Sequence, residues 1–145
     1  LLATLNDEIA ETASRGMFVT MAAGIYNPAS GEIIFANAGH QPPLLRACTG
    51  NYRELEEASP PLGILAGMRY AEQSLQLAGG RLYVFTDGVT EGHAEDGSML
   101  GVSGLKILLE RHAGESGGAQ LAHVAAALQR PGSRLHDDLT LLVIG

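Results

Sequence analysis

Two aspartates, Asp87 and Asp137, each stand at one end of an apolar, β-branched run of residues. Asp87 follows a run that begins at Arg81, and Asp137 precedes a run that ends at Ile144. If both runs are strands, their ends can bring the two carboxylates together, and carboxylate oxygens are the ligands that Mg²⁺ and Mn²⁺ prefer. The chemistry that this pair suggests is metal-assisted hydrolysis.

The composition is that of one compact domain. The chain has 145 residues, of which 46% are hydrophobic, so we expect a single domain over residues 1–145. No apolar stretch approaches the roughly 20 residues that cross a bilayer, and the first residues lack a basic leader. The sequence therefore predicts a cytoplasmic protein without membrane insertion.

The charge balance and the single cysteine exclude two further classes of function. A formal net charge of −7 with only nine Lys and Arg residues provides no basic face to neutralise phosphates, which disfavours nucleic-acid binding. Cys48 is the only cysteine, so it forms no internal disulfide, and its neighbours suggest neither a nucleophile nor a metal site. We predict a structural role for it.

The first half of the chain predicts a helix followed by strands. Apolar residues with a period of about 3.6 predict a helix over 1–14. Residues 18–26 and 32–37 read as strands joined by a turn rich in Asn, Pro and Gly, which predicts a hairpin. The prolines at 42 and 43 start a further extended segment.

The second half predicts a second hairpin, two helices and a last strand. Residues 69–77 and 81–86 read as strands turning at Gly79-Gly80, and this hairpin would deliver Asp87. Apolar stripes predict helices over 104–112 and 119–129, and 139–144 reads as a buried strand. Five strands, two helices and a strand imply an α+β class with mainly antiparallel sheets.

Six short blocks resemble, in the same order, the SpoIIE-like branch of the PPM (protein phosphatase 2C) serine/threonine phosphatases. They are distributed along nearly the whole chain and are Leu5-Asn6, Met17-Phe18-Val19-Thr20, Asn37-Ala38-Gly39-His40-Gln41-Pro42-Pro43-Leu44-Leu45, Pro61-Leu62-Gly63-Ile64, Tyr83-Val84-Phe85-Thr86-Asp87-Gly88-Val89-Thr90-Glu91 and Asp137-Asp138-Leu139-Thr140-Leu141-Leu142-Val143. The resemblance implies a four-layer αββα sandwich of two antiparallel sheets.

The resemblance also implies the site. Asp87 and Asp137 would be metal ligands of a Mn²⁺ or Mg²⁺ pair that polarises a phosphate and activates a water as the nucleophile, so no catalytic side chain is expected. A structural alternative for Asp87 is a turn aspartate ahead of Gly88, and for Asp138 a strand cap. His40 could act as a general acid or fix its loop by hydrogen bonds, and we favour the loop.

The remaining polar residues near these blocks have weaker assignments. Thr20, Thr90 and Glu91 would line the site or hold its ligands, together with Gly88 and Asp138. Four histidines lack metal-ligand spacing, and we assign them surface or packing roles: His93, His112, His123 and His136.

One family feature is missing from the sequence. Members carry upstream Gly-Asp and Asp-x-x-Gly-His-Gly blocks, whereas the five aspartates of this chain lie outside such blocks. The chain is therefore expected to be the N-terminally truncated, C-terminal two-thirds of a phosphatase domain. We expect this chain alone to be nearly inactive, to bind metal weakly through Asp87 and Asp137 together, and to self-associate.

The resemblance suggests a substrate and partners. The intact protein would remove phosphate from a phosphoserine on a regulatory protein such as an anti-sigma-factor antagonist, in bacterial signal transduction. An upstream sensor or receiver domain and a homodimer are further expectations. Two alternatives stay open: a degenerate, noncatalytic phosphatase-like signalling or dimerisation module, and a plain α+β binding domain in which the two aspartate motifs are coincidental.

Overall fold

The structure is a computed structural model that describes residues 1–12, 16–56, 59–94, 97–129 and 138–145. It contains the following elements: α1 (Leu2–Thr12), β1 (Met21–Asn27), β2 (Glu32–Ala38), β3 (Leu44–Arg46), β4 (Tyr52–Glu54), β5 (Gln73–Gln76), β6 (Arg81–Phe85), α2 (Asp87–Thr90), α3 (Gly101–Arg111), α4 (Gly117–Leu128) and β7 (Leu141–Ile144). The α+β class and the two antiparallel sheets are confirmed.

The chain divides into two compact units. Unit 1 comprises residues 1–42 and 55–78, and unit 2 comprises residues 43–54 and 79–145. Unit 1 holds the three-stranded sheet β1-β2-β5, and unit 2 holds the four-stranded sheet β4-β3-β6-β7. The single domain expected over residues 1–145 stays a prediction.

The predicted first hairpin is confirmed in unit 1. Strands β1 and β2 pair antiparallel, from Met21 opposite Ala38 to Asn27 opposite Glu32. The Asn27 side chain accepts hydrogen bonds from the backbone amides of Ala29 and Ser30, at 3.0 and 3.3 Å. An Asn side chain that bonds to amides further along its own chain stabilises a turn, which explains why this sequence reverses here.

The predicted second hairpin is wrong. Strand β5 pairs with β2, whereas β6 pairs with β3 and β7 in the other sheet. The backbone at Ala78 and Gly79 has positive φ angles of 46° and 78°. Residues with such angles can turn the chain within a hairpin or from one sheet to another. The turn residues alone therefore did not determine which strand pairs with β5 or with β6.

Helix α1 covers the core of unit 1. Leu2 is buried, and Leu5 and Ile9 pack against the buried Ala36 and Leu62. These helix positions recur every three to four residues, as the apolar period predicts. The helix begins and ends within the predicted range, and residues 13 and 14 of that range lie outside the described residues.

The sheet of unit 2 contains one strand that the sequence did not predict. Strand β4 pairs with β3, from Leu44 opposite Glu54 to Arg46 opposite Tyr52. It has only three residues. Such a short strand gives no readable alternation of apolar and polar positions.

Helices α3 and α4 pack on this sheet. They begin at Gly101 and Gly117, two to three residues before the predicted starts. Their apolar stripes bury Leu105, Leu109 and Leu128 in one cluster with Tyr83 of β6. Helix α2, of four residues, follows β6 and was not predicted from the sequence. No helix in the described part of the chain is long and apolar enough to cross a membrane.

Candidate functional site

Thr86 joins the end of β6 to the start of β7 through hydrogen bonds of its backbone and its side chain. Its amide donates to the Thr140 carbonyl at 3.1 Å, and its Oγ1 accepts from the Thr140 amide at 3.0 Å. The same hydroxyl donates to the backbone carbonyl of Asp138 at 3.0 Å. The segment that enters β7 is thereby held against the residue that precedes Asp87.

Asp87 occupies the first position of α2. It is exposed, and its Oδ1 accepts a hydrogen bond from the Gly88 amide at 3.0 Å. Its carbonyl accepts from the Thr90 hydroxyl at 3.0 Å and from the Glu91 amide at 2.8 Å. These bonds fix the backbone of Asp87 while the carboxylate faces solvent, which is the arrangement that a cation ligand needs.

The four residues after Asp87 differ in burial. Gly88 and Val89 are buried, Thr90 is half-buried and Glu91 is exposed. The backbone of this turn is thus anchored in unit 2 by its middle residues. Its acidic ends, Asp87 and Glu91, lie at the surface.

Asp138 lies beside this turn. Asp138 is exposed, and its backbone carbonyl accepts the hydrogen bond from the Thr86 hydroxyl. Asp137, the second predicted ligand, lies outside the described residues, as does His136.

His40 follows β2 in unit 1, in a loop that Asn37 holds. The Asn37 Oδ1 accepts from the His40 amide at 2.8 Å, and its Nδ2 donates to the His40 carbonyl at 3.0 Å. The His40 ring contacts the Gln41 carbonyl through Nδ1 at 3.0 Å, which requires that nitrogen to carry the proton. The loop also passes so close to Pro61 that a Cβ at Gly39 would lie 2.4 Å from its ring.

Thr20 lies immediately before β1 and is exposed. The preceding residue, Val19, exchanges two backbone hydrogen bonds with Leu62, at 3.0 and 2.8 Å. Thr20 and His40 therefore belong to unit 1, whereas Asp87, Gly88, Thr90, Glu91 and Asp138 lie together in unit 2.

Asn6 is a further polar residue whose role the sequence did not indicate. It is fully buried, and its Oδ1 accepts from the Gly63 amide and the Tyr70 hydroxyl, both at 3.0 Å. Its Nδ2 donates to the Leu65 carbonyl at 2.9 Å. Asn6 thus ties α1 to the loop that carries the Pro61-to-Ile64 block. Only the resemblance of Leu5-Asn6 to the family could have drawn attention to it.

The sequence spacing of His112 and His123, for which surface or packing roles were predicted, gave no sign that the two rings meet at one carboxylate. Both rings meet the carboxylate of Glu115, each with an Nδ1–Oε distance of 2.8 Å. The turn between α3 and α4 brings them together although eleven positions separate them in sequence. Spacing rules for metal ligands assume one helix or one short loop, and this pair spans two helices.

Comparison with known proteins gives a match over the whole chain. The family model described as Stage II sporulation protein E (SpoIIE) matches residues 1–145. Phosphoserine phosphatase RsbU of Bacillus subtilis (strain 168) is 31% identical over 147 residues, which is 99% of this chain and 44% of that protein. The chain spans less than half the length of the curated relatives that it matches.

Solved structures show the same fold. The RsbU and RsbW domains of Rv1364c from Mycobacterium tuberculosis superpose with a TM-score of 0.70 at 26% identity, covering 94% of this chain and 38% of that one. The SiaA-PP2C domain of Pseudomonas aeruginosa superposes with a TM-score of 0.68 at 23% identity, covering 94% of this chain and 55% of that one. The two antiparallel sheets and their helices are therefore those of a PP2C-type fold.

Proposed function

Because the chain belongs to the SpoIIE family, in the SpoIIE-like branch of the PPM (protein phosphatase 2C) phosphatases, we propose that it is part of a metal-dependent protein serine/threonine phosphatase. The proposed reaction is hydrolysis of a phosphoserine ester on a regulatory protein in bacterial signal transduction. The name of the relative RsbU, a phosphoserine phosphatase, supports this reaction class.

The observation that carries the proposal is the junction at Thr86. Its three hydrogen bonds hold the segment that begins at Asp138 against the start of α2, where Asp87 is exposed. Asp137 adjoins this segment in sequence. Two carboxylates from the ends of neighbouring strands are thus the proposed ligands.

The donor chemistry fits Mn²⁺ or Mg²⁺. Both ions prefer oxygen ligands, and Mg²⁺ usually keeps several waters beside one or two carboxylates. Asp87 and Asp137 would hold the metal, which when bound supplies polarisation of the phosphate and activation of a water nucleophile. The chain's own residues position these ligands: Thr86 and Gly88 fix the backbone on either side of Asp87.

The other sequence-predicted residues keep supporting roles in this proposal. Thr90 and Glu91 continue the turn after Asp87, and Asp138 follows the second ligand. Thr20 and His40 would line the substrate side, with His40 held in place by its loop. These assignments rest on the family blocks and on the hydrogen bonds described above.

The proposed partner is a phosphorylated regulatory protein of the anti-sigma-factor-antagonist kind, reached in the cytoplasm. The curated relatives RsbU and RsbP are both named phosphoserine phosphatases, which supports a phosphoserine substrate. A homodimer and an upstream sensor or receiver domain are further parts of the proposal.

Hydrolysis of a phosphoserine peptide by the protein at its full natural length, with and without Mn²⁺, tests this function. We expect Asp87→Asn and Asp137→Asn each to lower kcat/KM by about 100-fold or more, because each removes an anionic metal ligand. Asp138→Asn is the matched control one position away, and we expect a loss of less than about 10-fold.

The alternative function, a noncatalytic phosphatase-like module, makes the opposite prediction. The observation that favours it is that only three of the five aspartates, Asp87, Asp137 and Asp138, stand in the family blocks, and none stands in a Gly-Asp or Asp-x-x-Gly-His-Gly block. In that case no Mn²⁺-dependent hydrolysis would be detected, and the aspartate variants would match the parent protein. That result would overturn the enzymatic proposal.

A further inference from the structure

Unit 2 contains a cluster of two imidazoles and one carboxylate, which we call the α3–α4 cluster: His112, Glu115 and His123. One carboxylate oxygen of Glu115 lies 2.8 Å from Nδ1 of His112, and the other lies 2.8 Å from Nδ1 of His123. One donor atom from each residue can be chosen so that all three lie within 4.8 Å of one another. The cluster is distinct from the acidic residues that follow β6.

The fold holds this cluster in place from both sides. His112 directly follows α3, and Ser116, whose side chain accepts from the Ala119 amide, caps the start of α4. The Glu115 amide donates to the His112 carbonyl at 3.1 Å, which closes the turn between the helices. Arg81 of β6 also donates to the Glu115 carbonyl. The carboxylate is therefore presented from an anchored backbone.

The donor atoms of this cluster favour one class of metal ion. Imidazole nitrogen suits Zn²⁺ and the neighbouring transition-metal ions, whereas Mg²⁺ and Mn²⁺ favour oxygen ligands. Two His and one Glu are also a common set of three protein ligands for zinc, with water completing the coordination. The α3–α4 cluster and the proposed Asp87–Asp137 site should therefore prefer different metals.

We propose that the α3–α4 cluster is a binding site for a divalent transition-metal ion of the Zn²⁺ class, which joins the end of α3 to the start of α4. The Nδ1 atoms of His112 and His123 and one carboxylate oxygen of Glu115 are the ligands. Each ring then carries its proton on Nε2, so that the Nδ1 lone pair faces the metal.

Small movements convert the present hydrogen bonds into a coordination shell. Ligands about 2.0–2.1 Å from a tetrahedral zinc lie about 3.4 Å from each other, somewhat farther apart than the present hydrogen-bonded atoms. The two rings are stacked, with centroids 4.3 Å apart and planes inclined by 8°. A metal lies near the plane of each imidazole that binds it, so one ring must turn about its Cβ–Cγ bond. His123, whose side chain is 53% exposed, is the ring that turns.

The charge of Glu115 favours a cation at this position. Its two carboxylate oxygens lie 2.8 Å from the Nδ1 atoms of His112 and His123. A carboxylate between two imidazoles offsets part of the charge of a bound divalent ion.

Isothermal calorimetry with Zn²⁺ alone tests the site. The protein is studied as the Asp87→Asn variant, so that the proposed phosphatase site does not contribute to the signal. We expect one equivalent of Zn²⁺ to bind in preference to Mg²⁺. Loss of even an outer-shell partner typically weakens a metal site about 10-fold, so we expect His112→Gln/His123→Gln to weaken Zn²⁺ binding by about 100-fold or more.

His93→Gln is the matched control, because His93 is another exposed histidine of unit 2 outside the cluster. It should bind Zn²⁺ as the parent does. Glu115→Gln provides a second, milder variant, and circular dichroism checks that each variant is folded. In the parent, the imidazole NMR signals of His112 and His123 should shift on Zn²⁺ addition while those of His93 stay in place.

Two results would overturn the site. One is Zn²⁺ binding of unchanged strength in the double histidine variant. The other is the absence of any Zn²⁺-dependent shift of the His112 and His123 signals at millimolar metal.

Discussion

At the scale of single residues, the hydroxyl of Thr86 contributes most to the geometry of the candidate site. It donates to the Asp138 carbonyl and accepts from the Thr140 amide, so one oxygen links the end of β6 to the start of β7. The Thr86 side chain is small, and its neighbours in sequence, Phe85 and Asp87, belong to the same family block. Its role is visible only once the two strands are paired.

Replacing this hydroxyl should weaken the proposed metal site without touching a metal ligand. We expect Thr86→Val, which keeps the shape but loses both side-chain hydrogen bonds, to weaken Mn²⁺ binding by about 10-fold. Thr86→Ser keeps the hydroxyl and should bind Mn²⁺ nearly as the parent does. Calorimetric titration with Mn²⁺ measures both, and equal affinities for Thr86→Val and the parent would contradict the assigned role.

Asn6 shows the same principle in unit 1, where a buried side chain satisfies several polar groups at once. Asn6→Ala would leave the Gly63 amide, the Leu65 carbonyl and the Tyr70 hydroxyl without this partner. Because each of the three lost hydrogen bonds contributes about 0.5–1.5 kcal/mol, we expect the free energy of unfolding to fall by about 2–3 kcal/mol.

The matched comparison for Asn6 is Tyr70→Phe, which removes only one of these hydrogen bonds. It should lower the free energy of unfolding by about 1 kcal/mol. Urea denaturation of both variants measures the difference. If Asn6→Ala were no more destabilising than Tyr70→Phe, Asn6 would not be the centre of this network.

At the scale of elements, Glu110 joins three parts of unit 2. It is on α3 and forms a two-point ion pair with Arg46 of β3, at 2.9 and 3.0 Å. It also accepts a hydrogen bond from the hydroxyl of Tyr52 on β4 at 3.1 Å. The short edge strand β4 is thus fastened to a helix as well as to its neighbour β3.

This ion pair predicts a specific pH dependence. The hydrogen bond from Arg46 holds the pKa of the Glu110 carboxyl below its usual value of 4.5. A carboxyl whose pKa is lowered by folding adds stability above its unfolded pKa, and that stability is lost as the pH falls through its folded pKa. The contribution should therefore be present at pH 7 and should disappear under acid conditions below pH 4.5.

Glu110→Gln tests this expectation. The Glu110 side chain is half exposed, so solvent screening limits the loss at pH 7 to about 0.5–1 kcal/mol. The difference in unfolding free energy between parent and variant should shrink as the pH is lowered. Denaturant unfolding across pH 3 to 7 measures it, and Arg46→Gln should show the same shrinking difference. A gap that stays constant over this range would rule out the ion pair as its source.

Strand pairing also decides which apolar residues face solvent. Ile25 of β1 and Ile34 of β2 are directly opposite in the register, and both are exposed, at 77% and 40%. Residues directly opposite in an antiparallel pair lie on the same face, so the two side chains form an apolar patch. Phe35, the next residue of β2, points to the other face and is buried, at 5% exposure.

At the scale of the whole molecule, this patch bears on the expected self-association. In the described part of the chain, β1 pairs only with β2 and is an edge strand. An unpaired edge beside an apolar patch invites pairing with another chain. We therefore expect a concentration-dependent dimer of this chain.

Ile25→Thr should weaken that dimer. The matched control is Ile107→Thr, because Ile107 is a similarly exposed isoleucine, at 56%, on α3 of the other unit. Light scattering over a concentration series should show a smaller rise in mass for Ile25→Thr than for the parent or the control. A mass fixed at the monomer value up to high concentration in the parent would refute the edge-strand argument.

Much of the fold followed from the sequence because local patterns encode local structure. The period of apolar residues predicted α1, α3 and α4, and a turn built on Asn27 predicted the hairpin of β1 and β2. The same patterns predicted the strands on which Asp87 depends and the run that became β7. The family blocks then identified the fold and the two aspartates as candidate ligands, and the match over residues 1–145 confirmed the family.

Other features depended on contacts between residues far apart in the chain. Strands and helices of three or four residues, β4 and α2, are too short to show a period. The partner of β5 was decided by the sheets and not by the turn that follows it. The hydrogen bonds of Asn6 and Thr86 also depend on residues far away in sequence. His112, Glu115 and His123 meet only because the chain reverses between α3 and α4. A sequence states which groups could bind, donate or pack, but tertiary packing sets the distances at which they do so.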